Sequence, residues 1–228
     1  MKVGLLSYRS HPYSGGQGIY IKHLSRSLKN LGHEVSVLSG PPYPELDEGV
    51  KLIKIPSLGL FESGQRFSAF KLRFLWNPVD LYEWITVMTG GFPEPYTFGK
   101  RVLKRLRKDD IEFEVLLDNQ SLCSSLLEIQ KIYPLVVTIH HPITKDYHLE
   151  MQNASTWQER LSSTRWHNFL PMQKRVAPRL DHIICVSQPS KEDVITEFKV
   201  EDNKITVIPN GIDTVSYTHL RAHETLGN

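Results

Sequence analysis

Seven short apolar runs divide this sequence, and helical patterns separate most of them. Several runs are rich in β-branched residues and alternate little between apolar and polar positions, which is typical of strands covered on both faces. Strand–helix alternation of this kind predicts an α/β fold with a doubly wound, mostly parallel sheet. The predicted strands are KVGLLSY (2–8), EVSVLS (34–39), VKLIKI (50–55), FEVLLD (113–118), LVVTIH (135–140), HIICVS (182–187) and KITVIP (204–209).

The clearest helical pattern covers residues 17–31, where the apolar positions from Ile21 to Leu31 fall on one stripe and basic residues fall opposite. Gly32 is predicted to end this helix, because a left-handed residue is wanted there. The one large departure from alternation is residues 56–98, an insertion rich in aromatic side chains. We expect this insertion to form helices and loops that pack over the sheet.

Length, charge and cysteine content exclude several classes of protein. A chain of 228 residues can bury one good core but not two full-sized domains. Its net charge of +2 argues neither for nor against a polyanionic partner over the whole surface. Cys123 and Cys185 match no metal-ligand spacing, which favours a reduced, cytoplasmic location. No apolar stretch has the length of a signal-peptide core or a membrane-spanning helix.

The sequence SGGQG at residues 14–18 lies between the first predicted strand and the first helix. Glycine there permits positive φ, and the helix start presents free N–H groups to an anion or a hydroxyl-rich ligand. No Gly-Lys-Ser/Thr follows, which excludes a P-loop. The G-G-x-G spacing, with no carboxylate after the second strand, fits a dinucleotide fingerprint poorly. The loop is therefore either a plain turn or the site of a ligand that lies further from the sheet.

Hydrogen-bonding side chains stand at the ends of the other predicted strands, where parallel sheets bind their ligands. None is an obvious activated nucleophile, and no Ser-His-Asp order or G-x-S-x-G sequence is present. Ser187 and a capping box from Ser190 to Asp193 are predicted to begin the next helix. Ser190 is interpreted as a helix cap only, whereas Ser187 is either a cap or a substrate contact. We interpret the strand-end residues as candidate contacts to substrate hydroxyls: Asp118, Asn119, His140, His141, Ser187, Asn210 and Gly211.

Four segments in order resemble the amino-terminal half of the family 4 glycosyltransferases. The resemblance covers about residues 1–213 and is weaker through the insertion. It implies one Rossmann-like half of a GT-B fold, retaining transfer from a nucleotide-sugar donor, a glycan or lipid-linked acceptor, and no metal or other cofactor. The segments are SGGQGIYIKHLSRSLKNLGHEVSVLSG, VVTIHH, LDHIICVSQPSKEDVITEF and KITVIPNGID.

The resemblance also implies roles for single residues. Gly15 and Gly16 match the loop that lines the cleft near the donor phosphates and the acceptor, and Gln17 matches a variable position of that loop. Asn210 and Gly211 match the turn that leads into the second domain, although they also have plain turn chemistry.

His140 matches the histidine of the family's T-x-H strand end, which contacts the transferred sugar, and it is the candidate catalytic residue. The alternative is a structural histidine at a strand end. Strand alternation predicts Thr138 and His140 on one side of the sheet and His141 on the other. His148 could join the two histidines in a metal site, but adjacent strand residues point to opposite faces, so no metal site is predicted.

The match stops just after Asp213, where the family continues into a donor-binding domain. We therefore expect residues 1–214 to be the acceptor-side domain and the donor-binding domain to be absent. Residues 215–228 resemble read-through of a sequencing adaptor and are expected to be non-native or disordered; a short natural helix is the alternative.

The basic run KRVLKRLRK at residues 100–108 predicts a solvated helix face, with a peripheral membrane contact as the alternative. No nucleic-acid partner is expected, because no recognition motif accompanies the run. The predicted function is a retaining glycosyltransferase. The alternatives are a nucleotide-sugar epimerase, for which Asp118 is the only strand-end carboxylate, and a binding module without catalysis.

Overall fold

A computed structural model describes residues 1–13, 16–61, 72–108 and 111–211. Within these ranges all strands join one parallel sheet in the order β3-β2-β1-β4-β5-β6-β7. All seven predicted strands are confirmed, most of them slightly shorter than their apolar runs. They are β1 (Lys2–Ser7), β2 (Glu34–Ser39), β3 (Lys51–Lys54), β4 (Val115–Asn119), β5 (Leu135–Ile139), β6 (Ile183–Cys185) and β7 (Ile205–Val207).

Helices connect most of these strands and cover both faces of the sheet. In the described ranges three short 3₁₀ segments lie at Leu72–Trp76, Ala177–Arg179 and Asp202–Lys204. In the described part of the chain no helix is long and apolar enough to cross a membrane. The α-helices are α1 (Gln17–Asn30), α2 (Pro78–Met88), α3 (Glu94–Lys108), α4 (Leu126–Ile129), α5 (Thr144–Asn153), α6 (Trp157–Trp166), α7 (Leu170–Val176) and α8 (Gln188–Phe198).

The alternation of β1 divides the core between the two faces of the sheet. Val3 and Leu5 pack in one cluster with Ile21 of α1. Leu6, which points to the opposite face, packs in a larger cluster that contains Phe98 of α3. Because both faces are covered, the strands carry apolar residues at consecutive positions, as the sequence pattern predicted.

The described part of the insertion contains α2 and the start of α3, as expected from its aromatic content. The prediction of a uniformly solvated basic face on α3 is wrong at Arg101. This guanidinium is only 15% exposed and pairs at 2.6 Å with both Asp80 and Glu83 of α2. Its charge holds the two helices together and is not available to a membrane surface.

The start of α8 differs from the prediction of a capping box at Ser190. The N-cap is Ser187, whose side-chain oxygen accepts the backbone N–H of Ser190 at 3.2 Å. Pro189 lies in the first turn, where its missing N–H does no harm, and this residue sets the helix start before it. Because Ser190 is not the N-cap residue, its hydroxyl is free to make another contact.

The chain reverses its direction of winding between β1 and β4. From β1 it proceeds outward to β2 and β3, and it then returns to place β4 on the other side of β1. The carboxyl ends of β1 and β4 therefore flank the crevice in which open parallel sheets bind ligands.

Candidate functional site

The segments that follow β1, β4 and β5 come together at this crevice. We call the group of Gly16, Gln17, Tyr20, Asn119 and His140 the strand-end site. Gly16, Gln17 and Tyr20 belong to the loop and first turn after β1, Asn119 ends β4, and His140 follows β5 directly. Three separate parts of the sequence thus supply one site, as the strand-end prediction required.

Gly16 is the N-cap residue of α1 and lies in the left-handed region at φ 69°. Among the described residues no side chain caps the helix, and no acidic residue lies in its first turn. Within the described part of the chain the first N–H groups of α1 thus have no side-chain acceptor at the cap, which is the arrangement that favours an anion or a hydroxyl oxygen. Gln17 donates from Nε2 to the Tyr8 hydroxyl at 3.2 Å. Gly15 lies outside the described residues.

Gly18 has a different role from Gly16. A β-carbon at position 18 would lie 2.1 Å from the carbonyl oxygen of His11, whereas a β-carbon at Gly16 would meet no atom within 4 Å. The close approach of the loop backbone to α1 thus requires glycine at position 18. At position 16 it is the positive φ that favours glycine. Both glycines shape the loop, but only the surroundings of Gly16 are open to a ligand.

His140 is half-buried, and its side chain contacts residues of two other elements. Its Nε2 lies 2.8 Å from Oδ1 of Asn119, the last residue of β4. The Tyr20 ring packs edge-to-face on the imidazole with 4.7 Å between ring centroids. Burial raises the pKa of Tyr20, and the Thr138 side chain near its hydroxyl acts against that rise. Tyr20 therefore touches both Thr138 and His140, which confirms that these two residues share one side of β5.

Gln120, which the sequence analysis missed, holds the backbone around His140. Its Oε1 accepts the His140 N–H at 2.7 Å, and its Nε2 donates to the His141 carbonyl at 2.6 Å. The Ser190 hydroxyl donates to the His140 carbonyl at 2.7 Å. Backbone groups on both sides of the His140 side chain are therefore bonded to other parts of the chain.

The loop that carries Gln120 has an unusual conformation for residues that are not glycine. Gln120 has φ 54° and Leu122 has φ 46°, both in the left-handed region. Such residues cost about 1–3 kcal/mol each, and they persist where surrounding structure holds them. No glycine marks this loop, which is why its shape left no signal in the sequence.

Asp118 supplies part of that support. Its side chain is 1% exposed, and its carboxylate accepts the backbone N–H of Ser121 at 2.8 Å and the Ser121 hydroxyl at 2.5 Å. Burial raises the pKa of Asp118 to about 6, against the lowering effect of these hydrogen bonds. The carboxylate faces the interior of its own loop, so the structure gives it a supporting position beneath the site. Substrate contact by Asp118 stays a prediction without structural support.

The two adjacent histidines lie in different environments. Burial, and secondly the electrostatic effect of the adjacent His141, lower the pKa of His140, so its surroundings disfavour the charged form of the imidazole. His141 is exposed, and its Nε2 lies 3.1 Å from Asp146 Oδ2 of α5. The predicted separation of the two side chains is confirmed. Among the described residues no three His, Cys, Asp or Glu side chains are grouped as a metal site would need.

The other predicted site residues that the structure describes make no side-chain contact with His140 of the kind that Asn119 and Tyr20 make. Ser187 caps α8, and its oxygen is occupied by the Ser190 N–H. Asn210 and Gly211 are exposed residues after β7, which β6 separates from β5. Their roles in substrate binding stay predictions.

The sequence is similar to those of known glycosyltransferases. The sequence model of Glycosyltransferase Family 4 matches residues 14–216. The MMP alpha-(1->4)-mannosyltransferase of Mycolicibacterium hassiacum is 45% identical over 216 residues, which are 94% of this chain and 52% of the relative. The chain thus spans about half the length of the curated relative it matches.

Solved structures match at much lower identity. TcCGT1 in complex with UDP is 11% identical, with a TM-score of 0.50 over 95% of this chain and 54% of that chain. WaaG, a glycosyltransferase involved in lipopolysaccharide biosynthesis, is 14% identical, with a TM-score of 0.48 over 92% of this chain and 45% of that chain.

The parallel sheet, its covering helices and the ligand crevice at the reversal of strand order define one Rossmann-like half of a GT-B fold, as the resemblance implied. The family match covers most of the chain. The chain belongs to Glycosyltransferase Family 4.

Proposed function

We propose that this chain is the acceptor-side half of a retaining glycosyltransferase. The enzyme transfers a sugar from a nucleotide-sugar donor to a hydroxyl group of a glycan or lipid-linked acceptor, without a resident metal. The observation that carries the proposal is the strand-end site, in which the His140 imidazole is held by Asn119 and Tyr20 at the crevice, beside the glycine N-cap of α1.

The chemistry of the site suits sugar transfer by positioning. A neutral imidazole can exchange a hydrogen bond with a sugar hydroxyl, and the free N–H groups of α1 can bind a phosphate or hydroxyl oxygen. Both groups are held before substrate arrives, so they can favour the transition state, in which charge spreads over the sugar ring and the leaving phosphate. No residue of the strand-end site is an activated nucleophile.

The transferred sugar in this proposal is mannose, and the bond formed is α-(1→4). This part rests on the activity that names the relative from Mycolicibacterium hassiacum, which is 45% identical to this chain. A cytoplasmic location and a peripheral membrane contact stay predictions.

The epimerase alternative has less support than it had from the sequence. It needs a carboxylate in the crevice, and the only strand-end candidate, Asp118, is buried and bonded to Ser121. A binding module without catalysis is the alternative that the experiment must separate.

The test is a hybrid enzyme in which residues 1–211 replace the matching half of the Mycolicibacterium hassiacum mannosyltransferase. We expect the hybrid to transfer mannose from a nucleotide-activated donor to the acceptor of that relative, with the anomeric configuration of the donor kept in the product. The unaltered relative is the control. A folded hybrid that binds the donor but transfers nothing supports a binding module, and release of an epimerised sugar without acceptor supports the epimerase.

A further inference from the structure

Neutral histidine exists as two tautomers, and they offer different atoms to a ligand. With the proton on Nε2, the Nδ1 atom is an acceptor; with the proton on Nδ1, that atom is a donor. The tautomer that a site contains is set by the hydrogen-bond partner of the ring nitrogen that does not face the ligand. For His140 that partner is Asn119, whose Oδ1 lies 2.8 Å from Nε2.

An amide oxygen can only accept a hydrogen bond, so the Nε2 atom that faces it must carry the proton. We propose that Asn119 is a positioning residue that holds His140 as the Nε2–H tautomer, with the Nδ1 lone pair as the acceptor for a sugar hydroxyl. The role of Nδ1 as the acceptor for a sugar hydroxyl rests on the proposed function, whereas the tautomer is a property of the chain itself.

The position of Asn119 makes it a rigid partner. It pairs with Thr138 as the last step of the β4–β5 ladder and is only 2% exposed. The Nδ2 atom of the same amide is also buried, and among the described residues it makes no hydrogen bond. The orientation of this amide and the tautomer of His140 are therefore coupled, because a reversed amide would present a donor to Nε2 and require Nδ1–H.

Other contacts hold the backbone of His140 and restrict its ring. Its backbone N–H and carbonyl are bonded to Gln120 and Ser190, and the Tyr20 ring lies against its side. Nδ1 makes no hydrogen bond to any of the described residues, which leaves that atom for a ligand. The neighbouring His141 contacts Asp146 through its own Nε2, so it does not compete for Asn119.

The decisive measurement is ¹⁵N NMR of the imidazole nitrogens in the 228-residue chain, with the His140 signals assigned by the His140→Gln variant. We expect a protonated Nε2, an unprotonated Nδ1 and an Nε2 proton that exchanges slowly with water. A protonated Nδ1, or an Nε2 proton that exchanges as fast as that of His141, overturns the proposal.

Two variants separate positioning from packing. Asn119→Leu keeps a similar volume but removes the acceptor, so the slowly exchanging Nε2 proton should disappear and both tautomers should be populated. Asn119→Asp restores an acceptor, so the Nε2 proton should return and the pKa of His140 should rise. If Asn119→Leu keeps the protected proton, Asn119 only fills space. Asn119→Ser is the substitute for the Leu variant if that variant does not fold, since its shorter side chain cannot reach Nε2.

Activity of the hybrid enzyme gives a second, separate result. Asn119→Leu should lower kcat by about tenfold or more with a smaller change in KM, because a wrong tautomer impairs the transition state more than binding. Asn119→Asp should recover part of the loss. If the tautomer is confirmed by NMR and the hybrid is inactive, the proposed function fails and the tautomer assignment stands. If the hybrid is active but the NMR result is contrary, only the role of Asn119 fails.

Discussion

The Gln120 side chain accepts the backbone N–H of His140 at 2.7 Å, one step beyond the last pair of the β4–β5 ladder. The same amide donates to the next carbonyl along the chain, that of His141. A side-chain amide thus continues the hydrogen bonding of a parallel sheet where the neighbouring strand has already turned away. This contact connects the loop after β4 with the residue that the resemblance places at the sugar.

Gln120→Ala should lower the free energy of unfolding by about 1–3 kcal/mol, because the substitution leaves the His140 N–H and the His141 carbonyl without partners. The matched control is Gln130→Ala, which removes one exposed hydrogen bond to the Arg179 carbonyl and should cost at most about 1 kcal/mol. Urea denaturation of the two variants checks the difference. Equal losses would show that the Gln120 amide contributes nothing particular to this site.

Much of the fold was predictable because its signals are local. The seven apolar runs predicted the seven strands of the described residues, and Gly32, with φ 84°, ends the first helix as expected. The likeness of SGGQG and VVTIHH to family motifs also indicated which strand ends form the candidate site. Gln120 gave no comparable signal, because its contacts depend on the pairing of β4 with β5. Its left-handed conformation occurs without a glycine.

The wrong prediction of a capping box at the start of α8 has a different cause. Ser190 and Asp193 have the spacing of a capping box, but Pro189 lies before them inside the first turn. Proline at the start of a helix was a usable signal, and it would have moved the N-cap to Ser187. The hydrogen bond from Ser190 to the His140 carbonyl depends on tertiary structure and could not be read from the sequence.

Asp118 should make stability depend on pH in the direction opposite to that of most carboxylates. Its pKa in the folded protein, about 6, lies above that of an exposed aspartate. The folded state therefore binds the proton more tightly than the unfolded state, so stability falls as pH rises through the interval from about 4 to about 6. Relative to Asp118→Asn, the unaltered chain should lose about 2–3 kcal/mol between pH 4 and pH 7.

Denaturation of both proteins at a series of pH values measures this difference. Asp47→Asn is the control of opposite sign, since the hydrogen bond from Arg26 lowers the pKa of Asp47. Against that variant, the unaltered chain should gain stability as pH rises through the lowered pKa towards that of an exposed aspartate. A stability difference between the chain and Asp118→Asn that does not change with pH would mean that Asp118 titrates normally.

Gly18→Ala and Gly16→Ala should separate the two uses of glycine in the loop. At Gly16 the methyl group enters open space, and the expected loss is about 1 kcal/mol from the left-handed conformation. At Gly18 the methyl group would lie 2.1 Å from the His11 carbonyl oxygen, so the backbone must move. We expect a loss of about 1–3 kcal/mol there, although alanine is the better helix former. Thermal unfolding of the two variants shows which one loses more stability. A Gly18→Ala variant that is more stable than the unaltered chain would contradict the close packing of this loop.

His140→Ala in the hybrid enzyme should reduce turnover by about 10²-fold or more while the protein stays folded. The loss should appear in kcat at least as much as in KM, because the contact to the sugar is expected to strengthen as positive charge develops. His141→Ala is the matched control, because that side chain is exposed, points away from the strand-end site and contacts Asp146. Its effect on kcat should be much smaller. Steady-state kinetics and a denaturation curve for each variant provide the comparison. If both substitutions reduce turnover equally, or if His140→Ala unfolds the hybrid, then His140 has a structural role and the assignment of the strand-end site is wrong.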